Sequence, residues 1–204
     1  MIRTTELVSE MYGGIEQGWI KMCKHNRDEH ASEIEILEWA SEFGTRMHAM
    51  ALENNDTPKT EIEKKCLEQY NLFKKKYAPK VIFTEESFEY EDEFGDVIYT
   101  GTPDLLVRIR GKYILIDLKF WGVWRYAFDY EPPKKKMDGL KQTKANLQTT
   151  LYANAKKDKY KIDGRAVLWI TPDFYMFKEF RNEATRFKEA IEYAKSLKDE
   201  ESNF

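Results

Sequence analysis

The chain has 204 residues, a formal net charge of −3, 42% hydrophobic and 34% charged residues. This is the composition of an ordinary soluble globular domain with enough chain for one sizeable core. No apolar run approaches the roughly 20 residues that cross a bilayer, and MIRTTELVSEMYGG lacks the charged-then-apolar layout of a secretory leader. Cys23 and Cys66 supply neither a disulfide framework nor metal-ligand spacing, so an intracellular, cytoplasmic location without membrane contact is expected. The small net charge confines any surface for a polyanion to local clusters such as Lys74–Lys76, Lys134–Lys136 with Lys141 and Lys144, or Lys156–Lys157. Each of these runs also reads as a solvated face.

In chain order, a helix is expected from about Asp28 to Phe43, with Gly44 as its stop and Thr45 as the N-cap of a short helix from Arg46 to about Asn54. Thr57-Pro58 opens the next helix, with Pro at the first helical position. Ile62, Cys66, Tyr70, Phe73 and Tyr77 fall on one face of it. At Lys80 the period changes. Lys80 to Tyr90 is a β-branched and aromatic strand, Asp92 to Gly95 a turn, and Val97 to Ile109 and Lys112 to Phe120 two further strands paired through Arg110-Gly111-Lys112. Gly139 to Ala155 reads as a helix, Ala166 to Ile170 as a buried strand, Phe174 to Phe180 as its partner, and about Glu183 to Lys198 as a last helix. Helices, three strands, a helix, two strands and a helix make an α/β (α+β) domain with a central mixed sheet flanked by helices. The whole chain, 1–204, is expected to be one domain. It comprises a helical N-terminal region (1–79), a sheet core (80–180) and a C-terminal helix (181–204).

Charges interrupt the most apolar part of that sheet. Along Lys112 to Phe120, Ile114, Ile116, Leu118 and Phe120 share one face, and Asp117 and Lys119 share the other. A lone charge inside a sheet is costly, so these two are paired with each other or bound to something. A structural salt bridge is the plain alternative. Asp104, after the bend at Gly101-Thr102-Pro103, comes near Asp117 or Lys119 if the hairpin forms. Two carboxylates held close repel unless a proton or cation lies between them, and hard Asp oxygens favour Mg²⁺ or Mn²⁺. The chemistry suggested is metal-assisted hydrolysis of a phosphodiester.

Pro103-Asp104, twelve intervening residues and Asp117-Leu118-Lys119 resemble the PD-(D/E)xK nuclease signature. Gly44-Thr45-Arg46-Met47-His48 resembles the GTxxH motif of RecB-type nucleases, and Gln148-Thr149-Thr150-Leu151-Tyr152 their QxxxY motif. Thr4-Thr5-Glu6-Leu7 followed by Trp19 fits the helical entry of the compact phage-type and mitochondrial-genome-maintenance-type exonucleases of that group. The resemblance implies a restriction-endonuclease-like core and a DNA exonuclease of replication, recombination or repair, of bacterial or phage origin. Helicase or recombinase partners would be separate chains. It implies Mg²⁺ or Mn²⁺ on Asp104, Asp117, His48 and the Leu118 carbonyl, with Lys119 positioning water or stabilising the transition state. Two cysteines cannot supply the four of iron–sulfur members.

The borrowed residues also have readings of their own. With Thr45 as N-cap, His48 would lie in a first helical turn, which favours neutral imidazole, the metal-binding form. Gln148 and Tyr152 share a helical face and would sit at the edge of the core over the strand that carries Lys119, to hydrogen-bond a DNA phosphate or hold the lysine; an ordinary amphipathic boundary pair is the plain alternative. Glu85 and Glu86 point to opposite faces of their strand; either could be an additional acidic site residue. His25 and His30 read as surface residues. Trp121 to Asp138 interleaves aromatics with cations, as single-strand binding surfaces do. Trp124, Tyr126 and Lys134, Lys135 and Lys136 are therefore expected to guide a single-stranded or frayed DNA end, while Trp121 packs inside. An endonuclease on the same fold and a non-catalytic nucleic-acid-binding module are the rival readings.

Overall fold

A computed structural model describes residues 2–12, 33–53 and 57–201. His25, His30, Cys23, Trp19 and the expected helical residues 28–32 lie outside them. The described chain runs β1 (Ile2–Arg3), α1 (Thr4–Met11), α2 (Glu33–His48), a π-helical turn (Ala49–Glu53), α3 (Glu61–Tyr77), β2 (Lys80–Thr84), β3 (Phe88–Glu91), β4 (Val97–Gly101), β5 (Leu105–Ile109), β6 (Lys112–Lys119), α4 (Trp124–Ala127), α5 (Gly139–Lys156), β7 (Gly164–Ile170), β8 (Tyr175–Phe180) and α6 (Phe187–Glu201). The fold class is the expected one, mixed α/β with helices against the sheets. None of its described helices is long and apolar enough to cross a membrane.

Two sheets form where one was expected. The larger has the order β2-β5-β6-β7-β8 and the smaller β1-β4-β3. Within the larger sheet β6 and β7 are parallel and the other pairs antiparallel. The expected strands Lys80–Tyr90 and Val97–Ile109 each break in two. Both break at one level, at residues 85–87 and 102–104, so the same hairpin contributes a half to each sheet. Glu85 takes a positive φ of 47° there, and its N–H donates to the Asp104 carbonyl at 2.9 Å. Pro103 cannot donate to a ladder, which makes this the place for the strand to leave.

The β5–β6 hairpin sets the register. Arg110 and Gly111 have φ of 49° and 85°, the two positive values of a two-residue hairpin turn that matches strand twist. Ile109 then pairs with Lys112 and Leu105 with Ile116. Ile114, Ile116 and Leu118 face Phe43, Met47, Tyr70 and Phe73 of α2 and α3 in the main core. Each such side chain stabilises the fold by about 1.5–3 kcal/mol. Leu115, on the opposite face, packs with Leu106, Phe83 and Tyr152. Leu147 and Leu151 of α5 reach the smaller sheet and α1 through Tyr99, Ile98, Leu7 and Val8. The smaller sheet thus gives α5 a second surface to bury.

Three helix boundaries differ from expectation. Gly44 does not stop α2, which continues to His48. Phe43 and Met47 are 1% and 0% exposed, and burying that i,i+4 pair outweighs the roughly 1 kcal/mol propensity cost of a helical glycine. Thr45 caps nothing; its Oγ1 donates back to the Ser41 carbonyl at 3.1 Å. Helix α3 begins after Thr60, not at Pro58. The Thr60 hydroxyl accepts from the Glu63 N–H at 3.2 Å while the Glu63 carboxylate accepts from the Thr60 N–H at 3.0 Å. Glu63, fully buried, also holds Arg46 at 2.9 Å. That pair ties the end of α2 to the start of α3.

Candidate active site

The register of β5 on β6 brings Asp104 beside Asp117. The Asp104 Oδ2 accepts from the Leu118 N–H at 2.5 Å, so a side chain takes the ladder position that the break before β5 vacates. Asp104 is 8% exposed and Asp117 1%. Burial raises both carboxyls from 3.8 to about 6, against the pull of Lys119, and Asp104 adds its repulsion at Asp117. Lys119 Nζ stands 3.0 Å from Asp117 Oδ2, yet neither Asp117 oxygen has an aligned hydrogen-bond donor. Burial alone would lower the Lys119 pKa, but Asp117 and Asp104 together raise it. The ammonium is thus held charged inside the fold by two carboxylates.

His48 reaches this pair from the last turn of α2, not from a first turn. The expected reason for a neutral imidazole therefore fails, but the outcome survives for another reason. Burial and the nearby Lys119 lower its pKa, outweighing Asp117 and the Leu118 carbonyl. Nε2 lies 3.3 Å from the Leu118 carbonyl oxygen. Donation there fixes the tautomer and leaves the Nδ1 lone pair free. Nδ1 is 3.6 Å from Asp104 Oδ1 and 3.8 Å from Glu85 Oε1. The Leu118 carbonyl, expected as a fellow ligand, accepts from His48 with one of its two lone pairs.

The structure separates Glu85 from Glu86. Glu86 accepts from Lys156 at 2.9 Å, Lys159 at 2.7 Å and Tyr160 at 2.6 Å, an ion-pair cluster away from the aspartates. Glu85 faces His48. Its carboxyl is raised to about 7 by burial first, then by a hydrogen bond with Glu53 and repulsion from Glu53 and Asp104. Glu53 escaped sequence reasoning. In an α-helix residues five apart lie about 140° around the axis, so His48 and Glu53 have no helical reason to converge. The π-helical turn Ala49–Glu53 closes i→i+5 bonds, and both side chains meet Glu85.

From the other side, α5 brings Gln148 and Tyr152 onto the strand that carries Asp117. Gln148 Nε2 donates to the Tyr152 hydroxyl at 2.8 Å; the residues are 7% and 3% exposed. Burial pushes the Tyr152 phenol up, as does the negative charge of Asp117, so it keeps its proton. Arg165 fixes this helix by donating to the Asn146 side chain at 2.8 Å and to Thr150 Oγ1. Asp104, Asp117, Lys119, His48, Glu85, Gln148 and Tyr152 therefore come together.

In the aromatic segment Trp121 packs as expected, but Trp124 does not face outward. Trp124 is 5% exposed and packs edge-on to Tyr130 at 5.1 Å, so it offers no face to a base. Tyr126 donates to Asp173 at 2.7 Å, and Phe128 meets Trp39 of α2. Trp121 packs against Trp169, whose Nε1 donates to the Trp121 carbonyl at 2.8 Å. Phe128 and Trp121 find apolar partners on α2 and β7, and burying them there is more favourable than leaving them in water. Lys134, Lys135 and Lys136 remain exposed, with Lys135 over the Phe174 ring at 5.5 Å.

Among the described residues no group of three or more His, Cys, Asp or Glu side chains stands ready-made around a metal position. The donor chemistry nevertheless fits a hard divalent cation: two buried carboxylates, one with both oxygens lacking an aligned donor, and a neutral imidazole nitrogen aimed at carboxylate oxygen. No family model and no curated protein matches the chain. Solved structures do match it, among them that of SSO0001, with 18% identity over 95% of this chain and 72% of the other, at a TM-score of 0.47. A likeness that distant carries no functional argument.

Proposed function

We propose that the chain is a Mg²⁺- or Mn²⁺-dependent deoxyribonuclease of the PD-(D/E)xK type, acting from DNA ends as the RecB-type exonucleases do. The observation that carries this reading is Asp117, a nearly inaccessible carboxylate with no aligned donor on either oxygen, beside a second buried carboxylate and a lysine. A site built only for stability would satisfy such a group. Two buried carboxylates sharing one lysine, with pKa values raised by burial, are the kind of cluster that marks functional sites.

The residues divide the work. Asp104, Asp117 and the His48 Nδ1 would hold the cation, which when bound polarises a phosphoryl oxygen and acidifies water. Lys119, 3.0 Å from Asp117, is placed to orient the attacking water or to meet charge growing on the phosphate. The Tyr152 hydroxyl accepts from Gln148 and so has its own proton to give to a phosphate oxygen. Glu85, raised to about 7, can hold or release a proton beside His48. Lys134, Lys135 and Lys136 give the DNA backbone a cationic surface, without the base-stacking role expected of Trp124.

The test is cleavage of end-labelled linear and of closed circular DNA, with Mg²⁺, with Mn²⁺ and with EDTA. Loss of linear label that needs the cation and spares circles supports the reading. Cutting of circles would make the protein an endonuclease on the same site. Cation-independent cutting would sink the metal mechanism, and binding without any cutting would leave a nucleic-acid-binding module.

A further inference from the structure

Lys156, the last residue of α5, is 4% exposed and is not among the residues gathered at the aspartates. We propose that it is a positioning residue for the acidic site. From α5 it holds the chain just after Glu85, and so fixes where Glu85 meets His48 and Asp104. This rests on the hydrolytic reading and adds to it a residue that none of the sequence motifs contains.

The segment between β2 and β3 needs such a hold. Glu85 takes a φ of 47°, a region that a residue with a Cβ disfavours. The ladders of β2 and β3 stop on either side of it, at Thr84 and Phe88. That turn sends the Glu85 N–H to the Asp104 carbonyl at 2.9 Å and its carboxylate toward His48 Nδ1 at 3.8 Å. Strained backbone persists only where its surroundings fix it more than once. Lys156 Nζ donates to the Glu86 carboxylate and to the Ser87 carbonyl, both at 2.9 Å. These are the two residues that follow Glu85. One bond holds a side chain, and the other holds the backbone itself where ladder bonds are missing. Ser87 Oγ lies 2.9 Å from Thr102 Oγ1, so the hold extends to the break before Asp104.

The helix links this hold to the rest of the site. Gln148, Tyr152 and Lys156 recur every four residues and share one side of α5. That side presents Gln148 and Tyr152 to the strand of Asp117 and Lys156 to the segment of Glu85. Lys156 is itself fixed, with Nζ 5.8 Å from the rings of Phe83 and Phe88, one on each side of the break. Beyond the helix, the Tyr160 N–H donates to the Lys156 carbonyl at 2.9 Å, and the Tyr160 ring packs on Phe83 at 5.0 Å.

An ion pair for stability alone needs less than this. Glu86 already accepts from the exposed Lys159 at 2.7 Å and from Tyr160 at 2.6 Å. Burying a second lysine carries a desolvation cost that can exceed what the pair returns. What Lys156 adds, and Lys159 does not, is the bond to the Ser87 backbone.

The experiment compares Lys156→Met with Lys159→Met. The first keeps the apolar stem and removes the buried ammonium. The second removes an exposed donor to the same carboxylate and leaves the Ser87 carbonyl held. Thermal melts check folding. Calorimetric titration gives the Mn²⁺ affinity. The His48 ring is followed by its NMR Cε1–Hε1 signal in EDTA at fixed pH, assigned by its loss in His48→Ala. Lys156→Met should weaken Mn²⁺ binding about tenfold, the low end for residues that orient metal ligands, and shift the His48 signal. Lys159→Met should do neither. The sign separates positioning from charge, because deleting a nearby cation by itself favours Mn²⁺. Unchanged affinity with an unmoved His48 signal in folded Lys156→Met, or the same losses in Lys159→Met, overturns the proposal. If Lys156→Met does not fold, Glu86→Gln decides: a shifted His48 signal supports the hold, and an unmoved one overturns it. A wild type that binds no Mn²⁺ and cuts no DNA, with a His48 signal that still moves in Lys156→Met, keeps the hold and rejects the hydrolytic reading. An active wild type with an unmoved signal does the reverse.

Discussion

Replacing Asp117 with Asn should stabilise the protein while ending its activity. The carboxylate is 1% exposed, and neither oxygen has an aligned donor. Burial raises its pKa from 3.8 to about 6. The folded state thus binds this proton more tightly than the unfolded chain. The associated stability is present below pH 4 and is lost as pH rises through 6. At pH 7 the ionised group costs about 3 kcal/mol. The amide removes that cost but also takes from Lys119 its nearest counter-charge, 3.0 Å away, which cancels part of the gain. A net gain of about 1–2 kcal/mol remains, or about 2–8 °C in Tm for a chain of this size. Calorimetric melts in EDTA at pH 7 and pH 4 measure it, and the gap between the two proteins should close at pH 4. Mn²⁺ at a hundred times its Kd should then stabilise wild type by about 2.7 kcal/mol and leave the variant unmoved. A variant that melts below wild type at pH 7, with no dependence of the gap on pH, would refute the reasoning, because Asp117 would then be a satisfied structural group.

Lys119→Ala should lower the cleavage rate by about 10²–10³ while calorimetry still detects Mn²⁺ binding; loss of both would make Lys119 a folding residue. Glu86→Gln should cost about 1–2 kcal/mol at pH 7, discounted for its partial exposure. Lys156, Lys159 and Tyr160 hold that carboxyl down to about 2, so its contribution is full above about pH 4.5 and fades as pH falls toward 2. Urea denaturation at pH 7 and pH 3 should therefore show a narrowing difference. Trp124→Ala should cost about 3–5 kcal/mol as a core deletion, seen as a lower urea midpoint. Weaker single-strand binding with unchanged stability would instead restore the surface role. His48→Ala should weaken Mn²⁺ binding in the same calorimetric titration, and equal affinity would remove His48 from the ligand set.

Much of the site was legible because its parts are close in sequence or share a strong local period. Alternation along Lys112 to Phe120 put Asp117 and Lys119 on one face, and the short turn at Arg110-Gly111 fixed which residues of β5 oppose β6. A spacing of four placed Gln148 and Tyr152 together on α5. These are backbone periodicities, and the chain carries them wherever it packs.

Other features depended on contacts between distant residues. Helix α2 passes through Gly44 because Phe43 and Met47 find a core beneath them. His48 and Glu53 converge only through a π-helical turn, and Glu85 is chosen over Glu86 by the sheet break at its left-handed residue. Trp124, expected on the surface from its charged and aromatic segment, is buried, edge-on against Tyr130. The sequence by itself determined most of the helices and strands and the turn that pairs β5 with β6, and it put Asp104 near Asp117 or Lys119. The tertiary structure alone decided where the sheet divides and which acidic groups surround His48. Local patterns specify which side of an element is apolar, but burial against residues far along the chain decides what that side meets.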